Sequence, residues 1–214
     1  SGGFSVGHGL GTAPAFVIYK RRSSTSGWGV WHQSLSSANH YLQLSEESVE
    51  ASDSTIFSSA PSSTVVNLGS AWSATGTHTA VMYSWSEVSG FSKFGSYSGT
   101  GSAGVSVTTG FKPRWVMIKE TGNSNPWFIY DNQRGTTNIL WADEHYSEST
   151  IGAGDGTNQN AIEVNSTGFT IPHTLSGTNR SGGNYIYAAF ADRPGNNWTT
   201  NNLIAEPQLD VSQG

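Results

Sequence analysis

Three consecutive titratable residues, Asp143, Glu144 and His145, form the densest group of side chains that could do chemistry in this sequence. On a β-strand, where side chains alternate between faces, Asp143 and His145 would share one face and Glu144 would point to the other. Two carboxyl groups about 5–9 Å apart can hydrolyse a glycosidic bond, so Asp143 with Glu144, or with Asp131, is a candidate centre. We favour the simpler interpretation of a solvated strand end or loop, and predict no catalytic residues.

Oxygen ligands for a hard cation occur in the glycine-rich stretch 152–160. Asp155, Asn158 and Asn160 offer carboxylate and amide oxygens, which suit Ca²⁺. The stretch lacks the full EF-hand pattern, and Asn and Gly are also the residues that ordinary turns use. The six histidines are scattered, with no pair at zinc-ligand spacing. We therefore predict no metal and no other cofactor, and keep these three residues as the candidate ligands should Ca²⁺ bind.

An internal repeat organises the chain. Matching residues lie 99 positions apart where segment 9–33 resembles segment 110–132, and 105 apart where 79–90 resembles 184–195. The second copy has therefore gained about six residues, which we place in 152–160. The predicted organisation is a first unit at 1–90, a second unit at 91–195, and a linker or tail at 196–214.

Each copy has the patterns of an all-β fold. Short apolar runs next to Pro and Gly are typical of buried strands, and none of the sequence shows a long helical period. The strands expected in register in the two copies are 16–20 and 115–119, then 28–31 and 127–130 as the second arms of hairpins, then 41–44 and 139–141. We predict two tandem β-sandwich units, of jelly-roll or concanavalin-A-like type, that arose by duplication and contain almost no helix.

Two further features of the repeat bear on structure. The matched residues Lys20 and Lys119 predict a strand that runs from the core to the surface. The second copy opens with an aromatic segment, Phe91-Ser-Lys-Phe-Gly-Ser-Tyr97, which has no counterpart in the first copy. The first copy therefore lacks its first strand, so that either the chain is cut from a larger repeat array or this copy borrows a strand.

Aromatic side chains among Asn, Ser, Thr and Gln are the groups that bind sugars. The C–H faces of a sugar stack on exposed rings, and polar side chains bind its hydroxyls. Aromatics that recur in both copies, such as Trp28 and Trp31 with Trp127 and Tyr130, favour core packing instead. The tryptophans without an aromatic counterpart are better candidates, and a histidine and the glycine-rich stretch adjoin one of them. The candidate glycan-binding residues are Trp72, Trp141, His145, Trp198, Asn158 and Asn160.

The composition excludes several classes of protein. Only 12% of residues are charged, against about 25% in an average soluble protein, while 12% are aromatic, which excludes a disordered chain. No apolar run approaches the length of about 18 residues that a membrane span needs. The net charge of −5 and the lack of a basic stripe argue against a nucleic-acid partner. Cysteine is absent, which excludes disulfides and thiolate chemistry.

Three segments carry a resemblance to a known family: 7–15 (GHGLGTAPA), 91–97 (FSKFGSY) and 185–191 (YIYAAFA). They resemble a repeat family in structural proteins of tailed bacteriophages, frequent in marine and cyanobacterial phages. The resemblance covers residues 4–195 and implies concanavalin-A-like sandwiches in virion appendages. It identifies no catalytic or binding residue.

The function that this resemblance implies is that of a non-enzymatic protein on the virion surface, in a tail fibre or similar appendage or as a capsid decoration. The expected partners are other virion proteins, further copies of the chain in a closed homo-oligomer, and glycans of the host surface. A trimer is expected by analogy with the family. No nucleic-acid or membrane partner is expected. The alternative is a glycan-degrading depolymerase domain.

Overall fold

The computed structural model describes residues 3–71, 79–150 and 161–192, and these residues form an all-β sandwich fold. Within them the only helix is α1, of four residues. The elements in chain order are β1 (Phe4–Gly7), β2 (Phe16–Arg21), β3 (Gly29–His32), β4 (His40–Gln43), β5 (Ala51–Ser52), β6 (Val65–Leu68), β7 (Ala80–Trp85), β8 (Ser92–Ser98), β9 (Val105–Thr108), β10 (Pro113–Glu120), β11 (Phe128–Asp131), β12 (Asn138–Trp141), β13 (Ser149–Thr150), β14 (Glu163–Asn165), β15 (Gly168–Ile171), α1 (Ser176–Asn179) and β16 (Asn184–Ala191).

The strands form two large and two small antiparallel sheets. The large sheet of unit 1 (β1–β7) has the order β5-β4-β3-β2-β7, and that of unit 2 (β8–β16) has the order β13-β12-β11-β10-β16-β8. The small sheets are β1-β6 and β14-β15-β9. The predicted hairpins and third strands are confirmed, and the duplication stays a prediction with which this shared strand order agrees. In the described residues, β8 has no counterpart beside β7.

Three apolar clusters lie between the four sheets. Alternate residues of β2 enter different clusters: Phe16 and Ile18 belong to one, Val17 and Tyr19 to another. Both faces of this strand are therefore buried, which explains its continuous apolar sequence. The outer cluster of unit 1 contains Val17, Tyr19, Trp31, Phe57, Val66 and Leu68. The outer cluster of unit 2 includes Val116, Ile118, Phe128, Tyr130, Phe169, Ile171, Tyr185 and Tyr187.

The central cluster joins the two units. It contains Ala15, Phe16, Ile18, Val30, Leu35 and Leu42 from unit 1, and Phe94, Met117, Trp127, Ile186 and Ala188 from unit 2. The rings of Phe16 and Phe94 stack with centroids 5.8 Å apart. The two large sheets therefore pack against each other, and the molecule is a stack of four β layers in which the two units share a core. The repeat pattern alone did not predict this contact.

Three hydrogen bonds cross the central cluster. The Nε2 atom of His32 lies 3.1 Å from the carbonyl oxygen of Tyr187. The side-chain amide of Gln33 donates to the carbonyl of Phe94 at 2.7 Å. The indole N–H of Trp127 donates to the carbonyl of Gln43 at 2.9 Å. Because each bond joins one unit to the other, these bonds fix how the two sheets lie against each other.

The ring of His32 is held as the neutral tautomer. Its Nδ1 atom accepts the backbone N–H of Ser34 at 3.1 Å, so the proton sits on Nε2 and is donated to Tyr187. Burial lowers the pKa of His32 to about 4. His8 and His173 share this geometry, each accepting the N–H two residues on and approaching a distant carbonyl with Nε2. Histidines without metal-ligand spacing therefore connect chain segments here.

Acidification should weaken the contact between the units through His32. Its pKa falls from about 6.5 unfolded to about 4 folded, so the neutral form stabilises the fold above pH 6.5 and that contribution is lost between pH 6.5 and 4. The loss should reach about 3 kcal/mol. The H32Q variant keeps a donor toward Tyr187 and cannot titrate, so its unfolding free energy in urea should fall less over this range. The exposed-site variant H145Q should follow the wild-type profile, and parallel profiles for H32Q and wild type would contradict this role.

Candidate functional site

Residues 143–145 lie in the loop that follows β12, in agreement with the interpretation favoured from the sequence. Strand β12 ends at Trp141, so the alternation of a strand does not extend to the residues that follow. The Oδ1 atom of Asp143 accepts the backbone N–H of Trp127 at 3.0 Å, whereas His145 is exposed and lies against the ring of Tyr146. Because no strand forms here, the condition under which Asp143 and His145 would share a face is not met. The chain bends after β12, and Asp143 turns inward to a backbone donor.

The predicted depolymerase carboxylates have structural partners. Burial raises the pKa of Asp143, while the N–H of Trp127 and the charge of Lys119 oppose that rise. Asp131 accepts the guanidinium of Arg134 at 2.6 Å. Asp131 is held in this ion pair, whereas Asp143 uses only Oδ1 to hold the backbone of Trp127 and keeps Oδ2 buried without a hydrogen-bond partner among the described residues.

A buried charged cluster, absent from the sequence predictions, lies at the end of β10. Glu120 is fully buried and accepts the guanidinium of Arg180 at 2.6 Å and the side-chain amides of Asn123 at 2.8 Å and Asn125 at 2.5 Å. These bonds occupy both carboxylate oxygens, as a buried charge requires. The cluster therefore ties the β10–β11 loop to the segment that precedes β16.

The matched lysines close hairpin loops. Lys119 is fully buried, which corrects the prediction that its strand ends at the surface. Its ammonium donates to the carbonyls of Glu120 at 2.9 Å and, across the unit boundary, of Glu47 at 3.3 Å. Burial lowers its pKa to about 8, against the raising effect of nearby carboxylates. In unit 1, Lys20 donates to the carbonyl of Ser26 in the matching loop. This lysine recurs in both copies because it donates to backbone carbonyls of the hairpin loop.

An aromatic platform, formed by one partly buried and two exposed rings, lies at the end of β12. It consists of Trp141, His145 and Tyr146. The rings of Trp141 and Tyr146 meet edge to face with centroids 5.7 Å apart, and His145 lies 5.8 Å from Tyr146. Trp141 also packs against the outer cluster of unit 2, which anchors the platform to the fold. Tyr146 is 61% exposed and therefore presents its ring to solvent.

Polar side chains with fixed positions flank the platform along the chain. Glu148 accepts the guanidinium of Arg134 and the amide of Asn138, both at 2.7 Å. Arg134 also binds Asp131, so four side chains form one network. Because the network is held before any ligand arrives, its amide, guanidinium and carboxylate groups lose little conformational entropy on binding. Exposed rings, with such groups close to them in the sequence, suit a polyhydroxylated ligand.

The structure brings together two of the predicted glycan-binding residues, Trp141 and His145. Tyr146 was missed, although the criterion that selected Trp141 also applies to it, because the matching position in the first copy is not aromatic. The recurrent aromatics Trp31, Trp127 and Tyr130 are buried and Trp28 is partly buried, as core packing predicted. Trp72, Trp198, Asp155, Asn158 and Asn160 lie outside the described residues.

The described ranges show neither a cluster of metal ligands nor a membrane-spanning helix. No group of three or more His, Asp or Glu side chains in them could hold a metal ion. Their one helix is too short to cross a membrane. The candidate Ca²⁺ ligands fall outside these ranges and stay a prediction.

Removing the buried carboxylate should destabilise the protein far more than removing an exposed one. The E120A variant leaves Arg180 and two amides without their partner, and should lower the unfolding free energy by about 3 kcal/mol. The D192A variant breaks the exposed Arg114–Asp192 pair and should cost less than about 1 kcal/mol. Chemical denaturation of both variants measures this difference. Equal losses would show that the cluster around Glu120 does not hold the loop.

Comparison with known proteins places the chain in a family. The model of a domain of unknown function, DUF7483, matches residues 1–194. No curated protein and no solved structure matches the chain, so the jelly-roll or concanavalin-A-like assignment stays a prediction. The family match runs through both units, in keeping with the core that they share. The chain therefore belongs to the DUF7483 family.

Proposed function

We propose that this chain is a non-enzymatic structural module on the surface of a tailed-phage virion that binds host-surface carbohydrate through its aromatic platform. The resemblance of three segments to phage structural repeats supports the location, in a fibre or other appendage or as a capsid decoration. The partners of such a module are other virion proteins and further copies of the chain, with a trimer by analogy.

The observation that carries the binding function is the platform itself. Tyr146 exposes most of its ring, Trp141 supports it from the core side, and Glu148 with Asn138 offers fixed polar groups near it in the chain. A sugar ring placed on Tyr146 would bury its C–H face on the aromatic surface, and its hydroxyls would find donors and acceptors. A shallow site of this kind binds a polymer by repetition, as several copies in one particle would allow.

The use of the charged residues supports a non-enzymatic role. Glu120 and Lys119 are fully buried and hold loops, while Asp143 accepts a backbone N–H. Catalytic acids and bases need to reach a substrate with a hydrogen-bonding atom to spare. Asp131 is paired with Arg134, and Asp143 accepts the N–H of Trp127 through Oδ1 while its Oδ2 is buried away from solvent, which favours binding over hydrolysis.

Removal of the exposed ring should weaken carbohydrate binding. On a glycan array the wild-type chain should bind a subset of bacterial surface polysaccharides, and Y146A should bind the same glycans about tenfold more weakly, as the loss of one stacked ring implies. The matched control is Y83A, which removes another exposed tyrosine, 46% accessible, on β7. Both variants should keep the melting temperature of the wild type. Equal affinities of Y146A and wild type, or no glycan binding at all, would remove the platform from the proposal.

The proposed location has its own test. Gold-labelled antibody raised against the chain should decorate intact phage particles from cells that carry the gene, at the tail appendages or over the capsid. Antibody absorbed with the purified chain is the control. Label confined to cell debris, with bare particles, would overturn the virion assignment and leave the carbohydrate test unaffected.

A further inference from the structure

The large sheet of unit 1 ends in an open edge. In unit 2, β16 lies between β10 and β8, so both of its edges are paired. The equivalent strand of unit 1, β7, pairs with β2, and no strand of the described ranges lies on its other side. Trp85 of β7 lies opposite Phe16 of β2. Phe190 of β16 lies opposite Trp115 of β10. The two strands therefore hold the same place in the same register, and only one of them has a second neighbour.

The unpaired backbone groups of β7 can be assigned by residue. Thr79 and Trp85 accept backbone N–H groups from the β2 side, each at 2.7 Å. In an antiparallel pair the backbone groups of successive residues point to opposite sides. The N–H and C=O groups of Ala80, Met82 and Ser84 consequently point to the open side. They form a row of donors and acceptors at the spacing that another strand would use.

The sequence of β7 lacks the residues that usually prevent an edge strand from pairing with another strand. Natural edge strands carry charged residues, prolines or bulges that discourage pairing. β7 reads Ala-Val-Met-Tyr-Ser-Trp, without a charge or a proline. Tyr83 is 46% exposed and stacks on Trp85 with centroids 6.1 Å apart. An uncharged strand with an exposed aromatic ring favours a paired edge.

Grooves on both faces of β7 leave room for the side chains of an added strand. One groove, of about 370 Å³, is lined by Gly7 and His8 with the C-terminal half of β7. The other, of about 580 Å³, lies between Arg21, Trp28 and Tyr83. A strand places successive side chains on opposite faces, so an added strand would send alternate residues into the two grooves.

The pairing in unit 2 supplies the template for the occupant. There β8 covers β16 with Phe94 opposite Ala188, the residue that corresponds to Tyr83, and with Gly95 opposite Tyr187, which corresponds to Met82. Gly95 has no side chain because a Cβ atom there would lie 2.7 Å from the hydroxyl of Tyr187. Phe94 and Tyr97 enter the clusters on the two sides of the sheet, so β8 contributes one aromatic ring to each face.

We propose that the open edge of β7 accepts an antiparallel strand from a partner chain with the pattern of β8: small and polar residues with an aromatic ring directed to each face. The added strand forms backbone hydrogen bonds with Ala80, Met82 and Ser84 and covers Tyr83. The affinity comes from the backbone ladder, and the specificity from the rings in the two grooves. Such a contact joins this chain to a different partner chain and does not depend on carbohydrate binding.

A peptide with the sequence of residues 91–100 tests the proposal on the full chain. Fluorescence anisotropy should show saturable binding, and hydrogen exchange should slow at the amides of 80, 82 and 84. In unit 2, Gly95 lies opposite Tyr187 in a hydrogen-bonded pair, while the N–H of Phe94 faces away. N-methylation of the peptide at the position of Gly95 should therefore weaken binding about tenfold, and N-methylation at the position of Phe94 should leave it nearly unchanged.

The remaining outcomes overturn the proposal. One is an absence of binding, and another is equal binding of both N-methylated peptides or of a scrambled peptide. A third is slowed exchange at β16, which would mean that the peptide displaces β8. A fourth is β7 amides already protected in the free chain: protection that rises with concentration would assign the edge to a second copy, and protection independent of concentration would assign it to the chain itself.

Discussion

Burial of both faces of the two large sheets is the constraint on which the rest of this structure depends. Each small sheet covers one face of a large sheet, and the remaining faces cover each other through the central cluster. Separation of the units would expose Phe16, Met117, Trp127 and Ile186 to water, at about 25 cal/mol per Å² of apolar surface. The two units occupy separate segments of the sequence, but each depends on the other for the burial of its apolar residues. A family model that spans both units agrees with this arrangement.

The same constraint decides what the polar residues do. A donor or acceptor that enters a four-layer stack must find a partner, since leaving it unpaired costs about 1–3 kcal/mol. His32 and Trp127 satisfy this condition by bonding to backbone carbonyls or amides across the unit boundary or beside it. Glu120 and Lys119 satisfy it within loops. Although the chain has few charged residues, two of them, Lys119 and Glu120, are buried in its interior. The exposed aromatic rings of the loop after β12 and the network around Glu148 lie outside this scheme, where a ligand can reach them.

The two units differ most at the edge next to the last strand. β16 has β8 on its outer side, and in the described part of the chain β7 has no such neighbour. The side chains at this edge also differ between the two units. Ala188, which β8 covers, is replaced in unit 1 by the exposed ring of Tyr83. Within the described residues, the two similar sheets therefore end in chemically different edges.

The sequence by itself determined the local elements of this protein. Apolar runs of about five residues beside Pro and Gly were enough to place β2 and β10, and aromatic residues that recur in both copies were correctly assigned to the core. These inferences succeed because the period of a strand and the chemistry of a turn depend on neighbouring residues.

Tertiary structure alone decided what lies on each face of the strands. A continuous apolar run predicts that both faces of a strand are covered, but it does not identify the elements that cover them. The packing of one unit on the other was therefore not predicted. The burial of Lys119 depends on a carbonyl from Glu47, and the inward turn of Asp143 depends on the N–H of Trp127. Both contacts join residues distant in the chain, and for that reason neither could be inferred from local pattern.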